Sequence, residues 1–356
     1  MQQTQYKTFY DMALDIEFWR QLNPGLTITE KGCPVRGKPV RLSKAQEQDL
    51  QQSLIEEGYF HLDEILDPRE LKRLAVAASV VQANMWPPVY CFVYDEFWLL
   101  GQKIASVVAA AIGSSYLQMP NFWTFFIPTS NESAGWFPHR DRGKLYNLRP
   151  DGSSESVNCW IPLTDATPLN GCMYMLPAHR DPHYHGDTHE QVIENFQDIR
   201  ALPARVGSIL GWNETVMHWG GRSSNRAPEP RIAWAAVYQS TRVGALEIPL
   251  LETDSILPFH IRLGLIGQQF HRFTVQNTFT PAEAELANRL GGLLPHNIHI
   301  LDDENYYWDI TNNHKRQDIL PEPTRAKHYH PNLLPPPGPE RDRRFILNDM
   351  VAERKA

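Results

Sequence analysis

Val157-Asn158-Cys159-Trp160-Ile161-Pro162-Leu163, followed by Cys172-Met173-Tyr174-Met175-Leu176, is the stretch that decides the fold of this chain. Each run is short and mostly apolar, and the turn formers Asp165, Pro168, Asn170 and Gly171 lie between them. That is the pattern of two strands joined by a turn. Working outward, similar runs occupy 121–127, 204–210 and 232–239. Many short strands separated by Gly- and Pro-bearing turns predict a sandwich or barrel.

Before residue 115 the periodicity is helical. Ser43 is the expected N-cap of a helix through 46–57 that stops at Gly58, and a short strand follows at 59–62. Asp67-Pro68 opens a second helix, with apolar residues at Leu71, Leu74, Ala75 and Ala78. Further helices are expected over 9–22, 97–111, 258–270 and 281–290. Helices before and strands after give an α+β protein: a double-stranded β-helix (jelly-roll) core with N-terminal helices packed on it and a C-terminal extension. The expected division is an N-terminal extension (1–42), the jelly-roll domain with its flanking helices (43–245), and a helical and extended wrap belonging to the same domain (246–356). The Pro- and charge-rich tail at 321–344 is read as the extended part of that wrap.

The 356 residues include 42% hydrophobic and 21% charged, enough apolar side chain for a full core. A net charge of −7 and a pI near 6.1 argue against a nucleic-acid binder, which needs basic surface to meet phosphates. The longest apolar run, 104–112, is too short to cross a membrane, and residues 1–7 lack the pattern of a secretory signal. A cytoplasmic protein is expected, without membrane partners; oligomeric state is not readable. Cys33, Cys91, Cys159 and Cys172 are scattered and are read as reduced thiols.

The chemistry concentrates around Phe137-Pro138-His139-Arg140-Asp141. On an extended segment residues i and i+2 point the same way, so the His139 imidazole and the Asp141 carboxylate can converge on one ion. A third ligand fits at His218, read as following a strand and preceding Gly220-Gly221. Two histidines and a carboxylate on one face of an octahedron leave open positions, the arrangement of mononuclear iron(II) oxygenases. Arg231 begins an apolar strand and offers a planar guanidinium to a carboxylate, as a cosubstrate with a distal carboxylate requires. Taken singly, each of these signals is ordinary; their order within one β-rich region carries the reading.

Other features have competing readings. Arg140, Arg142, Lys144 and Arg149 either meet a substrate carboxylate or phosphate or form a solvated loop. Trp136, Trp160, Trp212 and Trp219 either wall an apolar pocket or fill core. His179, His183, His185 and His189 are read as a surface loop in preference to a second metal site, and the 181–200 insertion as a possible lid.

With these residues in view, the chain resembles the phytanoyl-CoA dioxygenase family of iron(II)/2-oxoglutarate oxygenases. The likeness runs through Cys159 to Pro177, including Asn170-Gly171. It continues in Gly207-Ser208 before His218, and in Gly220, Gly221, Asn225 and Arg231 after it. Gly58-Tyr59-Phe60 and the helix after Asp67-Pro68 extend it, so that about 43–240 is covered. The resemblance implies iron ligands at His139, Asp141 and His218 and a 2-oxoglutarate anchor at Arg231. Trp160 and Asn158 would lie by the cosubstrate, with Asn121 on a neighbouring face. Three departures stand out: Ala178-His179-Arg180 replaces the family's Gly-Ser-His, Gly220 replaces a small polar residue, and a longer loop makes Arg226 an alternative anchor. The implied cofactors are Fe(II), 2-oxoglutarate and O2, and the implied reaction is oxidation, foremost hydroxylation, of a small-molecule substrate such as a natural-product intermediate. Asp141 argues against halogenation. Desaturation, cyclisation or epimerisation, or an inactive jelly-roll binding protein, are the alternatives.

Overall fold

The computed structural model describes residues 8–34, 37–133, 135–143, 147–186, 192–273 and 279–294, together with the backbone of 308–309 and 314–315. The helices are α1 (Phe9–Leu14), α2 (Ile16–Leu22), α3 (Lys44–Glu56), α4 (Pro68–Ala83), α5 (Asp95–Lys103), α6 (Ala105–Ile112), α7 (Phe259–Arg272) and α8 (Pro281–Gly291). The strands are β1 (Cys33–Pro34), β2 (Tyr59–Leu62), β3 (Tyr116–Ile127), β4 (Ser156–Pro162), β5 (Met173–Leu176), β6 (Arg200–Leu202), β7 (Ile209–Trp212), β8 (Met217–Gly220), β9 (Arg231–Ser240) and β10 (Ser255–Ile256).

Local chemistry sets the helix ends. Ser43 and Gln46 form a reciprocal capping box: the Gln46 N–H donates to Ser43 Oγ at 3.2 Å and the Ser43 N–H to Gln46 Oε1 at 2.9 Å. Gly58 then takes φ +82°, open to glycine, and a Cβ there would strike Val216. Asp67 caps α4 by accepting from the Arg69 N–H, with Pro68 at the first position.

Eight of these strands form two antiparallel sheets, ordered β2-β7-β4-β9-β3 and β6-β5-β8, while β1 pairs antiparallel with β10 apart from them. Alternation along the larger sheet sorts its side chains to two faces. Val157, Cys159, Ile161, Ile232, Trp234 and Ala236 join the helices in the main core, where Trp234 Nε1 donates to Phe97 O at 2.9 Å. Trp160, Leu210, Trp212, Ala233 and Ala235 turn the other way and pack with Met173 and Met175 of the smaller sheet. The jelly-roll core and its helical cover are therefore as the sequence suggests. The site lies between the sheets.

Four expectations need correction. The 9–22 helix is two helices meeting at Asp15, whose carboxylate caps the Glu17 N–H. The 97–111 helix is likewise two, interrupted at Ile104. The run 204–210 is not one strand: the chain turns at 205–208, with Gly207 at φ +106° and its carbonyl accepting from Ile65 and Leu66 N–H, and β7 begins at Ile209. His218 follows β7, as expected, but itself lies inside a further strand, β8, and not in a turn after it. Helices 258–270 and 281–290 correspond closely to α7 and α8, which join the main core through Leu263, Ile266, Phe270 and Leu290. The tail at 321–344 lies outside the described residues.

Candidate metal centre

Backbone pairing brings the three expected ligands together. The His139 N–H donates to His218 O at 3.0 Å and the His218 N–H to His139 O at 2.9 Å, an isolated antiparallel bridge on the edge of β8. Directly opposed residues share a face, so the two imidazoles stand side by side, centroids 4.4 Å apart. Asp141, two positions on, points the same way. Its Oδ1 lies 3.6 Å from His139 Nε2 and its Oδ2 3.6 Å from His218 Nε2. One candidate ligand atom from each residue falls within 4.8 Å of the others, and among the described residues this is the group that could hold a metal ion.

The second nitrogen of each ring is fixed. His139 Nδ1 is 2.7 Å from Phe137 O and His218 Nδ1 is 3.1 Å from Val216 O. A carbonyl only accepts, so each Nδ1 carries the proton and each Nε2 lone pair faces the centre, as a metal-ligating histidine requires. Burial pushes the His218 pKa down to about 4, with His139 acting in the same direction and Asp141 against it. Its imidazole is therefore neutral at physiological pH. Asp141 is buried, and its Oδ2 has no hydrogen-bond donor among the described residues. Two imidazole nitrogens and an undonated carboxylate suit a divalent transition metal.

The depressed His218 pKa gives a first testable outcome for the metal-free protein. An unfolded histidine titrates near 6.5, so between that pH and about 4 the unfolded chain binds the extra proton. Stability is then complete above pH 6.5 and is lost as pH falls toward 4, by about 3 kcal/mol from this residue. Urea midpoints across that range should fall with pH, and His218→Asn should flatten the slope.

Arg231, the first residue of β9, lies in the same cavity and is 1% exposed. Among the described residues, its Nε and Nη2 have no partner and no acidic side chain pairs with it. Burial lowers its pKa to about 10, leaving it charged. Trp136 and Trp160 place their rings 5.4 and 5.9 Å from its guanidinium carbon. Gly220 makes room for this group: a Cβ there would lie 2.9 Å from Trp136 Cε3 and 3.2 Å from both Arg231 Nη atoms. A side chain at 220 would push against the guanidinium, a physical reason for the glycine. The competing Arg226 is exposed in the 221–230 loop and does not line the cavity.

The space in and over the cavity, open solvent included, is about 610 Å³. Asn121, Asn158, Trp160 and Trp212 line it, with Asn158 directly opposite Trp212 across β4 and β7. Trp136, Trp160 and Trp212 thus wall a pocket. Trp219 instead stacks on Tyr174 at 5.7 Å and does not line it.

For Arg140 and Arg142 both readings are overturned. Arg140 and Arg142 alternate with the ligands and point away from them into protein, where they are 4% and 1% exposed. Arg140 Nη1 meets Asp181 at 2.5 Å and donates to Thr215 O at 2.9 Å. Arg142 Nε donates to Glu214 at 3.0 Å, its Nη2 to Glu247, and Glu247 in turn meets Arg272 at the end of α7. Burial raises the Glu214 pKa, against the pull of Arg142. Arg149 pairs with Glu155 at 2.7 Å, and Lys144 lies outside the described residues. The Arg140 and Arg142 braces escaped the sequence because Asp181, Glu214 and Glu247 lie far along the chain. Arg142→Met would strand Glu214 in the interior and should lower stability by about 3–5 kcal/mol, read by urea unfolding. In the histidine-rich stretch, His183 meets Glu194 at 3.2 Å and His179 meets Glu57 at 3.5 Å; His189 lies outside the described residues.

Comparison with known proteins gives one family: residues 91–233 match the model described as Phytanoyl-CoA dioxygenase (PhyH). No curated protein matches the chain. Among solved structures, the chain is similar to the epimerase SnoN in complex with Fe3+, alpha ketoglutarate and nogalamycin RO, at 20% identity and TM-score 0.44 over 56% of this chain and 86% of that one. It is similar to the apo non-heme monooxygenase ThoJ, at 15% identity and TM-score 0.47 over 68% and 99%. It is also similar to HygX from Streptomyces hygroscopicus with nickel and 2-oxoglutarate bound, at 14% identity and TM-score 0.42 over 56% and 88%.

Proposed function

We propose that this chain, whose residues 91–233 match the family model described as Phytanoyl-CoA dioxygenase (PhyH), is an iron(II)- and 2-oxoglutarate-dependent oxygenase that hydroxylates a C–H bond of a small molecule. The observation that carries the reading is one cavity holding both a His-Asp-His cluster and a buried guanidinium with two nitrogen atoms unpartnered among the described residues. Burying such polar groups without partners is costly, and a bound cation and carboxylate relieve it.

Residues take these roles in the proposal. His139 and His218, through Nε2, and Asp141 hold the metal. Arg231 holds the distal carboxylate of 2-oxoglutarate, and Trp160 and Asn158 flank it. The Phe137 and Val216 carbonyls keep both imidazoles in the ligating tautomer. The aromatic walls exclude water and orient the reacting C–H bond. When bound, iron(II) with 2-oxoglutarate and O2 supplies a two-electron oxidation of substrate, with release of succinate and CO2.

We also propose that 43–245 forms the jelly-roll domain with its flanking helices, that 1–42 is an N-terminal extension, and that 246–356 belongs to the same domain. Support for the last point comes from Phe273, after α7, which lines the cavity. No helix among the described residues is long and apolar enough to cross a membrane; the setting we propose is the cytoplasm.

The test is aerobic incubation with Fe(II), 2-oxoglutarate and metabolite extracts. Succinate release with a gain of one oxygen in a substrate is the expected result. Loss of two hydrogens would replace hydroxylation by desaturation or cyclisation, and no succinate under any condition would contradict the enzyme reading.

A further inference from the structure

We propose that the substrate is an uncharged, flat, ring-bearing apolar molecule, an inference that rests on the metal and cosubstrate reading above. The first argument is electrostatic. Among the described residues, the ionisable side chains lining the cavity are His139, Asp141, His218 and Arg231. Both histidines are taken as neutral ligands. A divalent cation, the Asp141 carboxylate, dianionic 2-oxoglutarate and the Arg231 guanidinium together balance to zero. The loaded site therefore has no residual charge to offer, and a substrate carboxylate or ammonium drawn into it would be desolvated without a counter-ion.

The second argument is shape. On β9, Ala235 sits between two indoles, opposite Trp160 of β4 on one side and Trp123 of β3 on the other. Neighbouring strands are about 4.8 Å apart, so the indoles rise roughly 10 Å from each other with a methyl group between them. This large-small-large row is a slot. Its outer wall is built from aromatic edges and faces: Trp123 lies against Phe273 at 4.6 Å between centroids, and Phe125 meets Trp136 edge-on at 5.0 Å and 89°. Ring faces and edges are the complement of another ring, which gains offset-stacked and edge-to-face contacts there.

Calorimetric titration of the full chain, loaded with Mn(II) and 2-oxoglutarate so that no turnover occurs, tests this. The probes are 2-naphthol, 2-naphthoate and benzoyl-coenzyme A. Naphthol should bind more tightly than either anionic probe by about tenfold or more. Phe273→Ala should weaken naphthol by roughly threefold to tenfold, and the gentler Phe273→Tyr should retain its binding. Equal or tighter binding of naphthoate or benzoyl-coenzyme A overturns the substrate class. So does the absence of naphthol heat on protein that has taken up metal and 2-oxoglutarate, although the proposed function then stands. Failure to take up Mn(II) or 2-oxoglutarate is a separate result, and it removes both.

Discussion

His218→Ala will lower iron(II) affinity and succinate formation by more than the roughly 10–100-fold that outer-shell partners of metal ligands are worth. Three features make this the largest expected effect. His218 is 3% exposed, its Nδ1 is spoken for by the Val216 carbonyl, and its Nε2 faces Asp141 and His139. Alanine leaves two ligands, and no other residue of the described cavity lining offers an imidazole or carboxylate in its place. The backbone bridge to His139 survives, because it uses main-chain groups, so the variant should fold. Unchanged circular dichroism with lost metal uptake is the expected pair of results; retained metal uptake would remove His218 from the ligand set.

Arg231→Leu should raise the apparent KM for 2-oxoglutarate by about 30-fold or more, the effect of truncating one partner of a buried, hydrogen-bonded charge pair. The guanidinium is buried between Trp136 and Trp160, with Nε and Nη2 otherwise unpartnered. Leucine removes every donor. A 2-oxo acid lacking the distal carboxylate should lose its disadvantage in this variant, since nothing remains to reward that group. Arg226→Leu, on the exposed loop, should leave the KM within about twofold. If the two variants behaved the other way round, the anchor would be Arg226.

Much of this was legible because it is local. Ser43, Gly58 and Asp67-Pro68 fix helix ends within a few residues, and the observed caps use those side chains. Apolar runs at 157–163 and 232–239 needed no distant information to be read as strands. The His-x-Asp pair followed from the two-residue repeat of an extended chain. What escaped was set by distant partners. Met217-His218-Trp219-Gly220 is a strand because it pairs with Met173–Leu176 and bridges to His139. Arg140 and Arg142 look solvated until Asp181, Glu214 and Glu247 arrive from elsewhere in the chain. Phe273 joins the cavity because α7 packs along β3, a placement without a local signal. Ile104 interrupts a run of good helix formers, and we have no sequence-level physical account of that break.

Anaerobic addition of Fe(II) and then 2-oxoglutarate to the metal-free protein, followed by visible absorbance, tests the central claim most directly. The account predicts a weak metal-to-ligand charge-transfer band that needs both components, disappears in His139→Ala and requires far more 2-oxoglutarate in Arg231→Leu. Wild-type protein that gives no band at saturating concentrations, or a band indifferent to His139, would contradict it.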